Sequence, residues 1–112
     1  MPSDPVPSSS APLDVLADAV AHLRAAVERL ACSDDPARDR VRRALAVMQL
    51  AERGRVHLPS SLGTRFDNVR EWVRGDPTLR AQSDRDIVYL SLEIVAAFHE
   101  AVRLLALRSA VN

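Results

Sequence analysis

The chain has 112 residues, 47% of them hydrophobic, with 15 basic residues balanced by 15 acidic ones. That length admits a single domain, and the apolar share excludes a chain that is disordered throughout. Zero formal charge supplies no global field for nucleic acid or an anionic membrane, and one cysteine, Cys32, excludes an internal disulfide or a cysteine metal cluster.

The chain opens on "MPSDPVPSSSA", whose prolines and serines predict a flexible Ser/Pro-rich tail over residues 1–11. No basic stretch followed by an apolar run stands there, so no secretory signal is expected. Residues 12–112 are expected to form one helical bundle domain. Pro12 suits a first helical turn. From it Leu13, Leu16, Val20, Leu23, Val27 and Leu30 recur at alternating spacings of three and four, a heptad seam flanked by alanines 17, 19, 26 and 31. Asp14, Asp18, Glu28 and Arg29 fall away from that seam.

"SDDPARD" restarts the chain, with Asp34 or Asp35 as the expected cap and Pro36 in the first turn. Val41, Ala44, Leu45, Met48 and Ala51 form the apolar stripe of a second helix, and Gly54 is expected to end it in a left-handed conformation. Arginines 38, 40, 42, 43 and 53 read as a solvated face neutralised by Asp34, Asp35, Asp39 and Glu52. Pro59 disfavours helical geometry at Leu58, so "RVHLPSS" is read as a connection. A third helix carries Leu62, Phe66, Val69, Trp72 and Val73, stopped by Gly75. "GDPTLRAQ" predicts a turn or a short helical piece.

Ser83, with Asp86 three residues on, predicts the capped start of a last helix that runs to about Ser109. Placed at 100° per residue, Ile87, Leu90, Ile94, Ala97, Phe98, Ala101, Leu104 and Leu105 fill one side. Val88, Leu92, Val95, Val102 and Ala106, with His99 among them, fill a second stripe beside it. Only Tyr89, Glu93, Glu100 and Arg103 remain as a polar strip. The apolar arc is about 240° wide, whereas a surface helix needs little more than about 100°. Such a helix requires neighbours on at least two sides, and Val88, Leu92, Val95, His99 and Val102 are the expected interface of a homodimer or of a complex with a heterologous protein. His99 on that stripe would make association sensitive to pH.

The sequence therefore predicts an all-α, four-helix bundle-like single domain with a long C-terminal helix, dimeric, and acting as an adaptor, regulator or chaperone-like partner. No phosphate loop, serine nucleophile signature or histidine pair at metal spacing appears, so neither enzyme activity nor a cofactor is expected. Too few consecutive apolar residues occur to cross a bilayer, and a cytoplasmic location is expected.

Two other readings rest on particular stretches. "LGTRFDNVREWVR", residues 62–74, resembles the turn and recognition helix of helix-turn-helix proteins. The resemblance implies Gly63 at the turn, Val69 as buried anchor with Trp72 behind it, and Arg65, Asn68 and Arg70 facing base edges of DNA. All basic side chains apart from three histidines are arginine, and lysine is absent. Together with the Ser/Pro-rich start, that composition suits an effector secreted without a signal peptide to bind a host protein, as well as a GC-rich genome.

Overall fold

The computed structural model describes residues 6–31, 34–74, 76 and 78–111. Four α-helices carry the fold: α1 (Val6–Ala31), α2 (Ala37–Ala51), α3 (Ser60–Val73) and α4 (Asp84–Val111). A 3₁₀ segment, Glu52–His57, follows α2 directly, and the described residues contain no strand. The expected four helices are present, and α1 starts six residues ahead of Pro12. Pro7 then stands in the first turn, where a missing backbone N–H costs nothing. Residues 1–5 of the expected tail, Cys32 and Gly75 lie outside the described residues.

The heptad seam of α1 is buried as its spacing requires. Leu16 and Leu23 are fully covered, Val20 nearly so, and Ala19 and Ala26 lie beside them in the core. Alanines 17 and 31 stay exposed, so only two of the four flanking alanines mediate close approach. Helix α2 contributes Val41, Ala44, Met48 and Ala51, and α3 contributes Leu62, Phe66 and Val69. Helix α4 closes this core with Ile87, Leu90, Ile94, Ala97 and Ala101, and it is the helix that packs against all three others. Helix α3 runs antiparallel to it, since Ser61 meets Glu100 at one end and Trp72 meets Tyr89 at the other.

Three local expectations are corrected. Neither Asp34 nor Asp35 caps α2: the N-cap is Pro36 itself, with no side-chain bond, and Asp35 takes the Arg43 guanidinium instead. Gly54 is not left-handed but sits at φ −98°, ψ 23° inside the 3₁₀ segment. Its role is close approach, because a Cβ there would collide with the Val15 side chain of α1. The α2 arginines are more than a solvated face. Arg40 reaches the Leu30 carbonyl at the end of α1 (3.0 Å), and Arg38 donates to the carbonyls of Leu79 and Gln82, the latter at 2.6 Å.

Those two carbonyls belong to the turn between α3 and α4. Leu79 is fully buried at φ 62°, a left-handed conformation that L-residues avoid. The Asp76 carboxylate holds it there, accepting the Arg80 and Ala81 backbone N–H groups at 3.2 and 2.8 Å. The segment is a turn that plugs the core and not a helical piece. Beyond it the capping box forms as the sequence predicts: Ser83 Oγ accepts the Asp86 N–H at 3.1 Å, and Asp86 Oδ2 accepts the Ser83 N–H at 3.3 Å.

Candidate interaction surface

The outer side of α4 is left open. The body is flat, 56 × 26 × 17 Å, and the exposed residues of α4 mark the side that α1, α2 and α3 leave uncovered. Leu92 is 63% exposed, Val88 59% and Val102 40%, and His99 and Ala106 are also exposed. Val95 is half-buried between them. All five expected interface residues thus lie on one face: Val88, Leu92, Val95, His99 and Val102. Their spacings of four, three, four and three, continued by Ala106, keep a straight seam along one side of the helix for about 27 Å.

Residues outside the expected set widen this face. Trp72 shares the apolar stripe of α3 with buried Leu62, Phe66 and Val69, but it sits at the rim, 36% exposed, as does Tyr89. Their rings stack 4.5 Å apart at 37°. The chain's single tryptophan and single tyrosine are therefore paired beside Val88 and Leu92. The Gln82 side-chain amide donates to the Trp72 carbonyl at 3.0 Å, tying the end of α3 to the turn before α4. At the far end Leu107 is 52% exposed on the same flank of α4 as Tyr89. No periodicity count could place Trp72 at a rim, because its stripe on α3 is continuous with buried Val69.

The polar strip of α4 holds α3 in place. Glu100 accepts hydrogen bonds from Arg103 Nε and Nη2, at 3.1 and 2.8 Å, and from the Ser61 hydroxyl at 2.8 Å. Those donors hold the Glu100 carboxyl below the usual carboxylate range, Arg103 being the larger cause. Glu93 faces Arg65 of α3 at 3.5 Å. Both carboxylates of the strip, Glu93 and Glu100, thus face guanidiniums, and the Tyr89 ring stacks on the Trp72 indole.

The DNA-contacting set is not brought together as a free basic face. Arg65 is drawn to Glu93, and Arg70 pairs with Glu52, while Asn68 is exposed. Burial raises the Glu52 carboxyl above its ordinary range, against the pull of Arg70 and then Arg55. Gly63 lies inside the first turn of α3, its N–H bonded to the Pro59 carbonyl at 3.2 Å, and not in a turn between two helices. Phe66, one residue on from Arg65, is fully buried.

Elsewhere, an open groove of about 360 Å³ runs between α1 and the 3₁₀ segment, bordered by Asp18, His22 and Arg53 over Val15 and Leu50. No group of three or more His, Cys, Asp or Glu suited to a metal ion occurs among the described residues. No helix among them is long and apolar enough to cross a membrane. Comparison with known proteins finds no matching family model, no matching curated protein and no matching solved structure.

Proposed function

We propose that this chain is a self-associating helical interaction module whose working surface is the outer face of α4. The observation that carries the reading is the outward-facing heptad seam, with Val88, Leu92, His99 and Val102 exposed and Val95 half-buried, on a helix whose opposite side is already committed to the core. Soluble proteins seldom leave a continuous apolar strip in water, and at about 25 cal/mol per Å² its burial favours association. A second copy is the occupant that is always present at equal concentration, and a twofold dimer is the commonest way to close such a face. Exposed Trp72 and Tyr89 are the residue types that anchor interfaces most often. The role is that of an adaptor, regulator or chaperone-like partner and involves no catalysis, in keeping with carboxylates that serve as ion-pair partners.

Light scattering on the parent protein and on Leu92→Glu tests this. The parent should elute as a dimer and the variant as a monomer with unchanged helical circular dichroism, because residue 92 points away from the core. Equal monomeric masses for both proteins would refute the reading.

A further inference from the structure

The seam on α4 carries information about direction as well as contact. Given the self-association proposed above, we infer that two copies pair antiparallel through α4, with the twofold axis passing between Val95 and His99. The seam residues 88, 92, 95, 99, 102 and 106 are symmetric about position 97, close to the midpoint of Asp84–Val111. A twofold centred there overlaps the two helices along nearly their whole length.

Side-chain sizes fit that register. Antiparallel pairing sets Val88 against Ala106, Leu92 against Val102 and Val95 against His99, so each larger side chain meets a smaller one or a flat ring. Parallel pairing would stack each residue on its own copy, placing Leu92 on Leu92 and leaving Ala106 on Ala106 with a gap.

Charge and flanks agree with the same direction. The first turn of α4 carries Asp84 and Asp86 with Arg85 between them, and its last turn carries Arg108. Antiparallel pairing opposes the two helix dipoles, whereas parallel pairing joins like ends. A twofold perpendicular to the helices keeps each flank on its own side. The Trp72–Tyr89 pair of one protomer therefore lies alongside exposed Leu107 of its partner, and the rim aromatics gain an apolar neighbour.

Cysteine cross-linking distinguishes the arrangements. On a Cys32→Ala background, Leu92→Cys and Val102→Cys are prepared separately with tags of different mass, then mixed and mildly oxidised. A disulfide needs Cβ atoms about 4 Å apart, and in the antiparallel pair residue 92 meets residue 102 of the partner. Residue 92 lies about 15 Å along the axis from its own copy. The mixture should therefore give at least about tenfold more linked dimer, of mixed mass, than either variant alone. Efficient self-linking of each variant alone would show parallel pairing and overturn the inference. A dimer abolished by Leu92→Glu that yields no 92–102 link would leave the face correct and the register wrong. A dimer that survives Leu92→Glu, or a parent chain that stays monomeric, would overturn the choice of face itself and this inference with it.

Discussion

Two seams of the same periodicity run through this molecule, and they meet different fates. On α1, Leu16, Val20 and Leu23 step by four and three and vanish beneath α2 and α4. On α4, Val88, Leu92 and Val95 step by four and three and face outward, with Leu92 63% exposed. A heptad pattern states that a stripe needs covering. It does not state by what. That choice falls to the rest of the chain: α2 returns along α1, while α3 is spent on the flank of α4, where Ser61 and Trp72 meet it.

The contrast can be broken most forcefully in the two seams themselves. Leu23→Ala should cost about 2–5 kcal/mol in chemical denaturation, since it empties a fully covered site. Leu92→Ala should change the stability of the dissociated chain by less than about 0.5 kcal/mol, as an exposed substitution does, and act instead on association. Equal losses from both variants in dilute protein would mean that Leu92 is part of the folded core.

The closure of the α1 seam against the 3₁₀ segment comes next in size. Gly54→Ala adds a Cβ that meets the Val15 side chain, and overpacking of this kind costs about 1–3 kcal/mol. Adding Val15→Ala to it should recover part of the loss, because the obstructing methyl groups are gone. Smaller still is the cap of α4. Ser83→Ala removes the acceptor for the Asp86 N–H and should cost about 1 kcal/mol, with faster amide exchange confined to the first turn of α4.

The finest distinction is in pH. Glu100 titrates below its ordinary value of 4.5 in the folded chain, so its contribution is fully present above about that pH and is lost as pH falls through the lowered value. Glu52 is raised from 4.5, which reverses the sign: the fold gains relative stability as pH falls through the raised value toward 4.5. Glu100→Gln should therefore flatten the acid limb of a stability–pH curve, and Glu52→Gln should steepen it. Denaturation midpoints measured from neutral pH down past pH 4.5 check both, and identical curves for the two variants would contradict the assignment.

Much of the fold was legible because helix periodicity is a local property. The α1 seam, the Val41–Ala51 stripe, the extended Leu58 before Pro59 and the Ser83–Asp86 cap follow from residues within a few positions of one another. What escaped depends on distant partners. Leu79 reads as one apolar residue in a polar turn, and its burial requires Arg38, forty-one positions earlier, to hold its carbonyl. Arg40 looks like one charge in a wet row until its reach to the Leu30 carbonyl is seen. Gly54 carried the signature of a left-handed stop, yet Val15 decides its use. The outer stripe of α4 was legible residue by residue, since its five positions fall on one open face, whereas the Trp72–Tyr89 extension needed the crossing of α3 over α4.

Sedimentation equilibrium of the unmodified chain over a wide concentration range reads self-association itself. The mass should rise with concentration to a plateau at twice 12.3 kDa. A mass fixed at that of one chain, at every concentration up to the solubility limit, would contradict it.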